Sequence, residues 1–178
     1  MASFLVFAAA VFAAAASGGL FRPDDWYKSL AKPSWNPPSW VFAPVWTVLY
    51  IGIAFAGWLV WHDAGESRNV LMALWVAQLL LNAAWSWLFF GRHRIDLALA
   101  DVSAMAVVIA AFIAIASRSV PIAAWLFVPY LAWGSFALVL NATILKLNGG
   151  RGPLAQDAHP NGKQANAPPA RDTVARRS

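Results

Sequence analysis

The 178-residue sequence contains no cysteine, which excludes disulfides, thiolate chemistry and Cys-held zinc or iron–sulfur centres. Charge is scarce as well: Asp, Glu, Lys and Arg make up 12% of the chain, against about 25% in soluble domains. The three histidines, His62, His93 and His159, all fall outside the apolar runs. Axial haem ligation and a Ser/His/Asp hydrolytic triad therefore lack the residues they need. No lysine lies deep in an apolar run, no two carboxylates pair as a proton relay, and no Gly-rich phosphate loop occurs. No metal site and no required cofactor are expected.

What remains is apolar surface. Hydrophobic residues make up 60% of the chain, and the mean hydropathy is +0.56. Five stretches reach the about 20 apolar residues that a membrane-crossing helix needs. They run from Ser3 to Phe21, Trp40 to Trp61, Val70 to Phe90, Asp96 to Ala116 and Pro121 to Leu147. The expected fold is all-α, a polytopic membrane protein built as a five-transmembrane-helix bundle. Three of the four connections are short, which predicts antiparallel neighbours. The first stretch ends in the small residues "AAAASGG", but nothing basic precedes it, so it reads as an uncleaved helix rather than a signal peptide. Residues 1–148 form the membrane domain. Residues 149–178, rich in Pro, Gly, Asn and Ala without apolar periodicity, read as a disordered polar tail.

The pI near 10.1 does not point to nucleic acid, because the basic residues sit in loops and tail. Eleven of the thirteen Lys and Arg belong to the first loop, the turn at Gly91–Ile95 and the C-terminal end; only Arg68 and Arg118 lie opposite. The positive-inside rule then puts the first loop and the C-terminus in the cytoplasm, if the membrane is a bacterial inner membrane. An outer membrane is the alternative.

Polar residues within the spans are candidates for function. Gln78, Asn82 and Ser86 recur every fourth position on the third span, with Trp85 beside them. They read either as interhelical glue or as a pocket wall, and Asn82, among aromatics, leans towards the pocket. Asp101 falls about 7.5 Å into the fourth span at 1.5 Å per residue, and Asn141 lies in the fifth. Asp101 reads equally as a partly wet interfacial carboxylate. Of the eleven tryptophans, Trp58, Trp61, Trp75 and Trp125 suit an interfacial belt.

The segment "KPSWNPPSWVFAPVW", residues 32–46, is different. Trp35, Trp40 and Trp46, with Trp26 just before, are interleaved with Pro33, Pro37, Pro38 and Pro44. Proline fixes backbone angles and removes donors, so such a loop stays rigid with few internal hydrogen bonds. A rigid, aromatic, partly cationic lid over a bundle mouth suits a flat apolar ligand carrying acidic groups.

Three segments, "WYKSLAKPSWNPPSWVFAPVWTVLY", "NAAWSWLFF" and "PYLAWGSFALVLNATI", resemble the TspO/MBR family, which includes the mitochondrial translocator protein (the peripheral benzodiazepine receptor). The resemblance covers residues 1 to about 148 in the family's order. It implies five membrane helices, often paired as a homodimer, and binding of porphyrins such as protoporphyrin IX and of sterol-like and synthetic isoquinoline ligands; membrane lipid is a further expected partner. Carried over by position, the residues tied to light-dependent porphyrin breakdown are Trp26 and Trp133. The ligand pocket falls on Tyr27, Trp46, Tyr50, Asn82, Trp85, Asp101, Trp133 and Ala137, with Trp35, Pro38 and Trp40 closing the lid. Arg22, Lys28 and Lys32 are placed to meet the propionates. Two departures stand out: Ser34–Trp35 replaces a double tryptophan, and "LVLNATILKLN" lacks the tyrosine of the animal sterol consensus. Arg22, Tyr27 and Leu30 fit its reversed form. The small-residue pairs Gly52/Ala56 and Ala73/Ala77 are candidates for a dimer seam.

Three functions compete. The first is a porphyrin-binding receptor linked to tetrapyrrole metabolism and stress, without turnover. The second is light-dependent porphyrin degradation through Trp26 and Trp133. The third is a transporter of porphyrins or other small apolar molecules, against which stand the lack of an internal repeat and of a coupling-ion site.

Overall fold

A computed structural model describes residues 2–149; the expected tail, apart from Gly149, lies outside them. Six α-helices form among these residues: α1 (Ala2–Leu20), the short α2 (Asp25–Ser29), α3 (Phe42–Asp63), α4 (Arg68–Ser86), α5 (Ile95–Ser119) and α6 (Pro121–Leu147). Five of them, with adjoining turns, are long and apolar enough to cross a membrane, and no strand occurs among the described residues.

Local chemistry sets the ends. Pro121 opens α6 and Pro44 falls in the first turn of α3, where a missing N–H costs little. Gly65, at φ +53°, starts the single 3₁₀ turn joining α3 to α4. The end of α4 widens into a π turn over Trp87–Gly91, with the Arg92 amide donating to the Trp87 carbonyl at 2.8 Å. Such turns recur at functional sites. A Cβ at Gly91 would lie 2.9 Å from the Phe21 ring, so a side chain there needs that ring to shift.

The five long helices close a ring in the order α1–α3–α6–α5–α4, with α5 and α6 in the most extensive contact. Chain order alone predicted close α3–α4 packing, but α1 packs against both and their own contact is smaller. They meet through Trp75, whose Nε1 donates to the Ile53 carbonyl at 2.8 Å. Its ring fills the slot left by Gly57, where a Cβ would come within 2.5 Å of Trp75 Cε2. Trp75, expected in an interfacial belt, is thus a core residue, 3% exposed and edge-on to Phe7 at 5.3 Å. Trp61 and Trp125 do face outward, while Trp58 is half-buried and donates to Ser3 Oγ at 3.2 Å.

Gly52 and Ala56 are used within the chain. Ala56 is fully buried, and a Cβ on Gly52 would lie 3.7 Å from the Leu126 carbonyl of α6. Ala73 faces outward from α4 and Ala77 is partly covered.

One end of the ring carries the first loop, the α4–α5 turn and the end of α6. His93 Nε2 lies 3.0 Å from the Asp24 carboxylate. The Asn148 side chain pairs with both backbone groups of Ala31, accepting from its N–H at 3.0 Å and donating to its carbonyl at 2.9 Å. The turns at Gly65–Ser67 and Val120 lie at the opposite end.

Candidate functional site

Beneath the first loop lies a cavity of about 390 Å³, within the about 300–1,000 Å³ typical of small-molecule sites. Its walls come from four helices and the loop. Helical spacing aligns Phe42 with Trp46 on α3, Trp85 with Phe89 at the end of α4, and Trp133 with Ala137 on α6. Tyr27, on α2, forms part of the wall nearest the loop. A smaller space of about 60 Å³ continues inward, sharing Trp46, Trp85, Trp133 and Ala137 and reaching Asn82, Met105 and Gly134.

The inner end is polar but self-satisfied. Tyr50 donates to Asn82 Oδ1 at 2.9 Å, Asn82 Nδ2 donates to the Tyr130 hydroxyl at 3.3 Å, and that hydroxyl donates to Met105 Sδ at 3.2 Å. One chain of hydrogen bonds therefore ties α3, α4, α6 and α5. Trp46 stacks on Tyr50 with ring centroids 5.1 Å apart. Higher in the cavity, Trp85 Nε1 donates to Asn141 Oδ1 at 3.2 Å, and Asn141 Nδ2 donates to the Ile95 carbonyl at 3.0 Å. Both asparagines thus act as glue between helices and as wall.

Gln78 does neither. It is fully buried, its amide donates to the Trp75 carbonyl of its own helix at 2.8 Å, and its Oε1 has no partner among the described residues. Ser86 lines the cavity. Asp101 is buried on α5, one turn before Met105, with Oδ2 unpartnered among the described residues, and it lines neither space.

The loop tryptophans divide. Trp26 is buried behind the wall: its ring stacks on His93 at 4.2 Å and meets Phe89 edge-on at 5.8 Å, and Phe89 faces the cavity. Trp35 is edge-on to Phe136, another wall residue, at 5.8 Å. Pro38 precedes the 3₁₀ turn Ser39–Val41, whose Ser39 lines the cavity, whereas Trp40 is 74% exposed and does not. Tyr50 acts through Asn82 rather than at the larger cavity's wall.

Of the three basic candidates, Lys32 is the one held against a wall residue, its ammonium 4.6 Å from the centre of the Tyr27 ring while donating to the Lys28 and Leu30 carbonyls. Burial lowers its affinity for a proton, and burial likewise raises the Tyr27 phenol above its usual value. Lys28 turns outward to Asp25 at 2.9 Å, a hydrogen bond that raises its pKa. Arg22 Nε donates to the Gly19 carbonyl at 2.9 Å. Among the described residues, no three acidic or histidine side chains converge.

Phe42, Phe89, Phe136, Tyr130 and Met105 were not expected from sequence. Phe42 and Phe89 stand one helical turn from Trp46 and Trp85, and that spacing was the available signal.

Known proteins supply a frame for this geometry. The profile of the TspO/MBR family matches residues 5–147. A "Tryptophan-rich sensory protein" of Cereibacter sphaeroides is 41% identical over 150 residues, covering 84% of this chain and 94% of the relative. A "Translocator protein" of Sus scrofa is 40% identical over 71% of this chain and 76% of its own length. A "Tryptophan-rich protein TspO" of Chlorobaculum tepidum is 44% identical over 71% and 82%. With a match across five apolar helices and an aromatic cavity beneath a Trp/Pro loop, the chain belongs to the TspO/MBR family.

Proposed function

We propose that this protein is a membrane receptor for flat tetrapyrroles of the protoporphyrin IX class, bound in the cavity beneath the first loop. The carrying observation is the wall itself: Trp46, Trp85 and Trp133 border one space, with Phe42, Phe89 and Phe136 between them. Indole and phenyl faces stack on a macrocycle without demanding hydrogen bonds from it, and a free-base porphyrin needs no axial ligand. Lys32 beside Tyr27 suits a propionate at the mouth. The relative's name "Tryptophan-rich sensory protein" agrees with sensing.

The light-dependent reading is favoured by one observation, that Trp133 borders both spaces. An excited porphyrin would take an electron from that indole directly. Trp26 would have to act through Phe89 or His93. Transport draws support from the name "Translocator protein" alone. In the same reading, the bundle forms a homodimer at Ala73 of α4, with the partly covered Ala77 one turn on. It sits in a bacterial inner membrane with the first loop and C-terminus cytoplasmic.

The test is a titration of purified protein with protoporphyrin IX, read by absorbance and Trp fluorescence, in the dark and then under illumination. Saturable quenching with no new spectrum supports the receptor. A light-dependent product that fades in Trp133→Phe supports degradation. Absence of saturable quenching removes the porphyrin.

A further inference from the structure

At the end of the ring opposite the first loop, a second hollow of about 360 Å³ lies between α1 and α4. Ser3, Phe7 and Ala10 supply one side, at spacings that share a helix face, and Met72 and Trp75 supply the other, with Trp61 of α3 closing the head. From Ser3 to Ala10 the groove runs for about 10 Å along α1. Its rim is open sideways, because Val6 is 67% exposed and Trp61 50% exposed. In a membrane protein, that opening faces lipid chains. Among the described residues, the side-chain oxygen on its walls is Ser3 Oγ, which accepts from Trp58 Nε1. The Ser3 hydroxyl and the Trp61 indole N–H are the polar groups among otherwise apolar walls, so the groove favours a hydrocarbon chain over a polar ligand.

A cation stands beside the groove, against its Trp61 wall rather than on its lining. The Arg68 guanidinium lies 5.8 Å from the Trp61 ring, one helical turn before Met72. Its Nε is enclosed and meets no acceptor among the described residues. Asp63 and Glu66 are close in sequence, yet among the described residues the ion pairs are those of Lys28, His93 and Arg94. An enclosed donor on a cation without an acceptor is costly, and a guanidinium fork fits phosphate oxygens in particular.

We propose that this groove is a site for one anionic glycerophospholipid, its acyl chain along Phe7, Ala10, Met72 and Trp75 and its phosphate on Arg68. The zwitterionic choline lipids carry the same phosphate but bring a cation with it, so the site discriminates against them. The site is independent of the tetrapyrrole cavity, which lies at the other end of the bundle.

The experiment is native mass spectrometry of the full-length protein in detergent, titrated with dioleoylphosphatidylglycerol or dioleoylphosphatidylcholine. The wild type is expected to retain one phosphatidylglycerol about fivefold more tightly than phosphatidylcholine. Arg68→Gln should erase that preference while leaving chain binding, and Ala10→Phe should weaken both lipids. Unchanged thermal unfolding and protoporphyrin titration of each variant show that the bundle is intact. A preference that survives Arg68→Gln overturns the site, since the headgroup is then read elsewhere. So does an Ala10→Phe variant that loses dimers but not lipid, because a second copy of the chain then occupies the groove.

Discussion

The Asn82 amide donates to the Tyr130 hydroxyl at 3.3 Å while its oxygen accepts from Tyr50 at 2.9 Å, so one side chain of α4 holds α6 and α3 together. Tyr130 is fully buried and keeps Met105 Sδ as its acceptor, whereas the Tyr50 hydroxyl has only Asn82 to donate to among the described residues. Hydrogen bonds between membrane helices average only about 0.6 kcal/mol, but an orphaned buried hydroxyl costs about 1–3 kcal/mol. The second effect should dominate. Asn82→Leu is expected to destabilise the bundle by about that larger amount, read as a fall in unfolding temperature in detergent; a change below 0.5 kcal/mol would show that the chain of bonds is dispensable.

Ala137 borders both the larger and the inner cavity. Ala137→Phe puts a ring where a macrocycle would lie, and protoporphyrin affinity should fall more than about tenfold. Stability should change little, because the ring enters a space rather than a packed core. Fluorescence titration decides it, and an unaltered affinity would place the ligand elsewhere.

Two glycines make opposite predictions. A Cβ at Gly57 meets Trp75 at 2.5 Å, whereas one at Gly19 meets nothing within 4 Å. Gly57→Ala should cost about 1–3 kcal/mol through overpacking. Gly19→Ala, near the end of α1, should be neutral or slightly stabilising. Thermal unfolding of the pair, side by side, provides the control.

Asp24 caps α2 by accepting from the Tyr27 amide at 3.0 Å. That bond, more than the nearby His93, holds its pKa below the ordinary 3.8. With the folded-state value depressed, the carboxylate's contribution is present above the unfolded value and fades as pH falls through the folded one. Asp24→Ala should therefore destabilise the first loop by about 1 kcal/mol at pH 7. The gap from wild type should close below about pH 4. Hydrogen exchange of residues 25–29 at several pH values reads it.

Asn148 fastens the loop at Ala31 with two hydrogen bonds. Asn148→Ala leaves every cavity residue in place but frees that tether, so ligand release should quicken roughly three- to tenfold. Stopped-flow dissociation of protoporphyrin IX measures this, and an unchanged rate would mean that the loop does not gate the site.

Several of these sites were legible beforehand in part. The four-residue recurrence of Gln78, Asn82 and Ser86 marked an inward face of α4, and all three do face the interior or the cavity. What each does there was not legible, because periodicity names a face and not the partner opposite. Asn82 finds two tyrosines from other helices, while Gln78 finds only the backbone of its own.

The sequence by itself determined five membrane-length helices, since each apolar run must satisfy its backbone internally in lipid and only a helix does so. It also determined the Trp/Pro loop and the polar face of α4. Tertiary structure decided the rest. Lipid and protein core are equally apolar, so hydropathy could not tell that Trp75 enters the core through the slot at Gly57 while Trp125 faces out. The ring order depends on α1 packing against both α3 and α4, which no run length specifies. Whether Trp26 and Trp133 share the cavity depends on Phe89 and His93. These come from the π turn and from two residues beyond it, and their rings cover Trp26 and leave Trp133 on the wall.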